Sequence, residues 1–203
     1  GYSPGKGEQT FQHLSMRVGR MENSWFKNVI AVGPSACFIE PLESTAIHLT
    51  QTAVELLMEL FPCAKSFAFC RDRFNERINR IYDQTKDFIQ LHYLLSQRTN
   101  SSFWRDSQAT EPSEALNALL QGYDACAWLA GLLPESFPAT SYHFLLYGNR
   151  RLPNRAPVTC QACNDDDLRN LFASIVAQNE KGLRKLALHE DMLSWIHHGA
   201  PEL

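Results

Sequence analysis

Glu40 and Glu43 stand on either side of Pro41 in the stretch GPSACFIEPLESTAIH, residues 33–48, directly ahead of Ser44, Thr45 and a strongly apolar run. A carboxylate placed beside an apolar surface is a candidate proton donor or acceptor. A helix beginning at Thr45 would present its first amides and the positive end of its dipole at the same place, which favours a bound anion. Ser44 and Thr45 are also good capping residues and could close that helix end with no ligand at all. Spacing alone leaves both readings open. Glu43 favours the functional one, because a plain cap needs no carboxylate there.

Other candidates for chemistry are weaker. In GYSPGKGEQT, the glycines Gly1, Gly5 and Gly7 keep neither the spacing of a phosphate loop nor that of a dinucleotide fingerprint, and no strand precedes them. Cys160 and Cys163 form a single C-x-x-C with no second pair and only scattered histidines, so they read as two ordinary thiols and no metal site is expected. His197 and His198 read as a solvated helix end. The aromatic stripe around His92 and Tyr93 reads, on spacing, as core.

The elements that must position Glu43 follow from periodicity. KNVIAVG, residues 27–33, predicts a buried strand running into a glycine turn. From Thr45 the apolar residues fill most of a helix surface until Pro62, which predicts a helix over 45–61 buried on most sides. Ile78, Ile81, Tyr82, Thr85, Phe88, Ile89, His92 and Leu95 keep three- and four-residue spacing, predicting an amphipathic helix over 75–98. NSSFWRD, residues 100–106, reads as a polar turn carrying an aromatic pair. A third helix is expected over 114–133 with an interruption at Gly122, then an extended, proline-rich wrap over 134–164. Two helical stretches, 165–178 and 181–198, end the sequence. The expected chain is one short strand and a mainly helical remainder, without repeats.

Composition narrows the function classes. A 203-residue chain with 44% hydrophobic residues can build a real core, so disorder is not expected. With 19 Lys+Arg against 22 Asp+Glu, no basic excess argues for nucleic acid or an anionic membrane. No run reaches a membrane span and no signal-peptide pattern opens the sequence, which points to a cytoplasmic protein. The six scattered cysteines fit reduced thiols better than a disulfide framework.

Two long segments carry a resemblance. NVIAVGPSACFIEPLESTAIHL resembles the segment of flavin-dependent tryptophan halogenases that closes the flavin site, and KDFIQLHYLLSQRTNSSFWRD resembles the helix and turn that follow it. AWLAGLLPESFPATSYHFLLYG and LALHEDMLSWI continue the likeness in the same order. The resemblance implies an FAD-binding monooxygenase-like α/β fold, of which this sequence would be a mainly helical C-terminal portion. Residues 1–46 would end the FAD-binding domain with its strand and flavin/halide loop, and 47–203 would form the substrate-side domain. It further implies that reduced FAD from a separate flavin reductase, oxygen and a halide ion chlorinate or brominate tryptophan or a related indole.

By motif match, Glu43 is the catalytic glutamate, polarising the halogenating agent or taking the ring proton. The backbone of Ser44, Thr45 and Ala46 would hold the halide, and Gly33, Pro34, Ser35, Ala36, Pro41 and Leu42 would lie beside the flavin. His92, Tyr93, Phe103 and Trp104 fall on the substrate side. Some members of the family have glycine where this sequence has Ala46. The family's catalytic lysine, its Trp-x-Trp-x-Ile-Pro signature and its G-x-G-x-x-G lie outside this sequence, so an N-terminal FAD-binding part is an implied partner and the chain alone is expected to be inactive. A homodimer is an admissible assembly. Two other readings stay open: a non-catalytic helical module for a small ligand or partner chain, and a flavin monooxygenase relative that oxygenates instead of halogenating.

Overall fold

The structure, a computed structural model, describes residues 15–62, 65–129 and 136–199. The glycine stretch at 1–10 and Cys63 lie outside the described residues. The described chain forms two compact units, Gly1–Arg155 and Ala156–Leu203. Residues on both sides of the boundary expected at 46 contribute to the first.

Strands are few and short. Gly19–Arg20 (β1) pairs antiparallel with Cys37–Phe38 (β4), and Trp25–Phe26 (β2) pairs with Val29–Ile30 (β3). The buried strand expected over 27–33 is therefore one arm of a two-residue hairpin, with Val29 exposed. Lys27, in the left-handed region at φ 51, makes the turn. The hairpin is anchored by Trp25, whose backbone N–H donates to Asn75 Oδ1 at 2.8 Å and whose carbonyl accepts from Asn75 Nδ2 at 2.9 Å. Its ring meets Phe67 and Phe74 edge-on.

Helix α1, Thr45–Glu59, buries Thr45, Leu49, Ala53 and Leu56 along one face. The expected burial on most sides is not what the chain does: Ile47, Val54 and Met58, a stripe on the opposite face, are exposed, as is Phe61 just beyond the helix end. Helix α2, Phe67–Leu95, is the longest element and begins eight residues before the expected start, because Phe67, Cys70 and Phe74 extend its buried stripe toward the N-terminus. It crosses two cores. Phe74, Ile78, Ile81 and Tyr82 pack with Trp25, Leu49, Ala53 and Leu56 in the first. Phe88, Leu91 and Leu95 pack with Leu116, Leu119, Leu120, Tyr123, Tyr142 and Leu146 in the second.

The segment expected as a turn at 100–106 is instead helix α3, Ser102–Gln108. Helix α4, Glu114–Cys126, is capped by Ser113, whose Oγ accepts from the Leu116 N–H at 3.1 Å while donating to Asp87 at 2.6 Å. It runs through Gly122 without a break and ends at Ala127 in the left-handed region. The remainder of the helix expected over 114–133 reaches 130–133, outside the described residues. The expected extended wrap contains helix α5, Ala139–Gly148, placed just after Pro138 and buried through Tyr142 and Leu146. Behind it, Arg151 donates twice to Asp124, at 2.9 and 2.6 Å, and its carbonyl accepts from the Tyr123 hydroxyl at 2.7 Å.

In the second unit, Asp165–Leu183 (α6) is one helix running past the expected break after 178, and His189–His198 (α7) follows. Neither buries a residue. Among the described residues no helix is long and apolar enough to cross a membrane.

Candidate functional site

The loop between β4 and α1 carries both carboxylates, and its backbone is unusual. Glu43 and Ser44 are consecutive residues in the left-handed region, at φ 65 and φ 52. Neither is glycine or asparagine, so the conformation costs on the order of 1–2 kcal/mol per residue and persists only because the surroundings enforce it. One restraint is local: the Ser44 N–H donates to the Pro41 carbonyl at 2.9 Å.

The others come from α2. His92 Nε2 lies 2.7 Å from Glu43 Oε1, and the hydroxyl of the next residue, Tyr93, donates to Glu40 Oε1 at 2.6 Å. Two successive residues of one helix thus hold the two carboxylates that flank Pro41. His92 Nδ1 lies 2.9 Å from the Phe88 carbonyl, which can only accept, so Nδ1 carries a hydrogen. The imidazole thus ties Glu43 to the backbone of its own helix through its two ring nitrogens. The other carboxylate oxygen of Glu43 makes no hydrogen bond to a described residue, and the side chain is about two-fifths exposed, at 39%. The bond from Tyr93 to Glu40, with partial burial, pushes the phenol up from 10.0 to about 12.

Glu43 itself lines neither of two nearby recesses, but its chain neighbours on either side, Leu42 and Ser44, face different ones. Ser44 joins Gly33, Pro34, Pro41, Thr45 and Ala46 around a mostly apolar hollow of about 280 Å³. Leu42 faces a larger, open recess of about 730 Å³, together with His92, Tyr93 and Trp104. Most residues expected beside the flavin and halide are thus gathered around one hollow, and three of the four expected on the substrate side around the other. Leu42, expected beside the flavin, lines the larger one instead. Ala36 is buried in the first core, and the Ser35 hydroxyl turns back to the Val32 carbonyl at 2.8 Å. Phe103 is exposed, its ring 5.9 Å from that of Tyr93.

Gly33 has φ +66, and a Cβ there would lie 3.0 Å from Thr50 Oγ1, so glycine lets the loop close against α1. Helix α1 begins without a side-chain cap hydrogen bond, so Ser44 and Thr45 do not act as the simple cap their types suggested. The first-turn amides of such a helix keep their capacity for an anion.

Sequence reasoning missed several lining residues. Cys37, Phe38 and Ile39 also line the smaller hollow. Burial pushes the Cys37 thiol up to about 11, with Arg20 opposing the shift. The larger recess is completed by Arg98 and by Asn149 and Arg150 beyond α5. Arg98 could have been noticed as the first charge after α2. Arg150 carries no sequence signal, since α5 was not expected. Among the described residues no cluster of His, Cys, Asp and Glu could hold a metal ion.

Comparison with known proteins gives one consistent answer. The profile of the tryptophan halogenase family matches residues 2–165. A tryptophan 6-halogenase of Streptomyces albogriseolus is 34% identical over 210 residues, covering 92% of this chain and 38% of its own length. A tryptophan 7-halogenase of Kutzneria sp. is 36% identical over 142 residues, covering 70% of this chain and 26% of its own. Among solved structures, a flavin-dependent halogenase from Brevundimonas sp. BAL3 superposes with a TM-score of 0.79 at 30% identity, over 92% of this chain and 37% of its own. A tryptophan halogenase from Shewanella frigidimarina gives 0.75 at 27% identity, over 94% and 37%. The chain thus spans between about a quarter and two fifths of these relatives, 26% to 38%.

Proposed function

We propose, because this chain belongs to the tryptophan halogenase family, that it supplies the acid–base carboxylate and the substrate-facing wall of a flavin-dependent halogenase acting on an indole or related aromatic compound. The family brings with it FAD, a halide, an aromatic substrate and a flavin reductase. The observation that carries the proposal is the setting of Glu43, held on one oxygen by His92, unbonded on the other among the described residues, and flanked in the chain by Leu42 and Ser44, which line a recess and a hollow.

The residues around the smaller hollow fit one part of a flavin. A volume of about 280 Å³ whose walls are mostly apolar, with Glu40 the one charged residue lining it among those described, suits the edge of a flat ring system, and none of its described lining residues is a cation for a pyrophosphate. Gly33, Pro34 and Pro41 would face that edge. Thr45 and Ala46, at the uncapped start of α1, would stand nearest a halide, whereas Ser44 has already given its amide to Pro41. Bound reduced flavin, with oxygen, supplies the oxidising power that turns a halide into an electrophilic halogen.

The remaining tasks belong to the chain. His92 fixes the Glu43 carboxylate, and the free oxygen orients the electrophile toward the larger recess. When the aromatic carbon forms its bond to halogen and its C–H bond breaks, that oxygen takes the proton. Glu40 and Tyr93 hold the loop in register and touch no reacting atom.

In the complete enzyme, with the FAD-binding part present and flavin, reductase and halide supplied, Glu43→Gln is expected to lower halogenated product about 10²-fold while flavin oxidation continues, the usual scale for a lost acid–base group. Glu40→Gln is expected to cost far less. Equal, mild losses from the two would reduce Glu43 to a structural role.

A further inference from the structure

The charge around the larger recess is one-sided. Arg98 and Arg150 line it together with His92, Tyr93, Trp104 and Asn149, and no carboxylate does among the described residues. Neither arginine is in an ion pair with a described residue. Their neighbours show that this is not for want of acidic partners in this part of the chain. Arg151, next to Arg150, is clasped by both oxygens of Asp124, and Arg105 donates to the Thr99 carbonyl at 2.8 Å. Of the adjacent pair Arg150 and Arg151, one is consumed by the fold and the other is left at the recess.

Arg150 is also held there under strain. Its backbone is left-handed, at φ 62, fixed by its own N–H on the Tyr147 carbonyl at 2.9 Å and by the Arg151 N–H on Leu146 at 2.9 Å. Across the recess the Arg98 guanidinium lies 4.9 Å from the centre of the Trp104 ring, and the Tyr93 ring is 6.0 Å from that of Trp104. An aromatic wall thus stands beside two cations, in a volume of about 730 Å³ that admits a bicyclic ring with a short side chain.

We propose that this recess selects an aromatic carboxylate that lacks a free ammonium group, the ring lying against Trp104 and Tyr93 and the carboxylate received by Arg150 and Arg98. The proposal rests on reading the recess as the substrate side of the site. A guanidinium matches a carboxylate in shape and charge. A free amino group on the same ligand would meet two like charges, while the nearest carboxylates, Glu43 and Glu40, stand behind the lining residues His92 and Tyr93 and are each already bonded to one of them.

Calorimetric binding to the protein, without flavin or halide, tests this with indole-3-acetate, tryptamine and L-tryptophan as probes. Indole-3-acetate is expected to bind at least about tenfold more tightly than either amine, the scale of one hydrogen bond to a charged group. Arg150→Gln is expected to weaken indole-3-acetate about tenfold and to strengthen tryptamine slightly by removing a like charge, while Arg150→Lys restores part of the loss. Tryptamine or L-tryptophan binding as tightly as indole-3-acetate overturns the proposal, and so does an Arg150→Gln protein with unaltered affinity for the acid. The ligand comparison needs no variant to fold. Selective binding of the acid with no halogenated product from the complete enzyme, its FAD-binding part present, would remove the halogenase reading and support this one. Halogenation of free tryptophan with no preference in binding would do the reverse.

Discussion

At the scale of single residues, the site depends on which groups keep their protons. Tyr93 gives its hydroxyl hydrogen to Glu40, and the negative charge so close raises the phenol from 10.0 to about 12. A value raised on folding means that the bond stabilises the fold fully below the ordinary tyrosine range, near 10. That contribution is lost as the pH climbs through about 12. Ultraviolet titration of the tyrosines should therefore show one phenol moving down toward 10 in Glu40→Gln. A titration curve indifferent to that change would mean the pair is not formed. None of this pairing was legible in the sequence. Glu43 and Glu40 were marked by their type and their place around Pro41, but His92 and Tyr93 lie 49 and 53 residues further on, and no local pattern links positions so far apart. Arg150 was invisible for a related reason: its importance comes from what Asp124 does to its neighbour.

At the scale of elements, legibility followed the strength of the hydrophobic period. The amphipathic stripe of α2 and the stop at Pro62 were plain, and so was the start of α1 at Thr45. Helix α5 was hidden because its residues, TSYHFLLY, are apolar on nearly every side and stand among prolines, which leaves no contrast for a period to show. The apolar surface of α1 was read correctly as sequence and wrongly as burial, since composition cannot say whether both faces of a helix find partners. The junction of loop and helix is where elements meet most closely. At Gly33 any side chain must adopt φ +66 and place its Cβ 3.0 Å from Thr50 Oγ1, which is itself fixed by donating to the Ala46 carbonyl at 2.7 Å. Gly33→Ala is expected to destabilise the fold by about 1–2 kcal/mol in urea unfolding, the cost of a left-handed alanine. An unchanged midpoint would show that the loop does not need this closure.

At the scale of the whole molecule, the exposed stripe of α1 is the feature most at odds with a surface in water. Ile47 and Met58 are 80% and 72% exposed on one line along the helix, and Phe61, just past its end, is 76% exposed. Such a patch binds hydrophobic dyes and promotes self-association. Ile47→Lys with Met58→Lys is expected to reduce both, measured by dye fluorescence and light scattering. Unfolding free energy should stay within about 0.5 kcal/mol per substitution, because neither side chain is in the core. Unaltered scattering would locate the association elsewhere. The clasp between the loop and α2 has a further consequence, for the order of assembly. Helices α1 and α2 can each begin to form from neighbours in sequence, but the Glu43–His92 and Glu40–Tyr93 bonds close spans of 49 and 53 residues and must await the docking of one helix on the other. The site is thus completed only after the two helices have docked. On mild denaturation it should be the first thing lost, with the loop's amides exchanging with solvent while most helical signal survives.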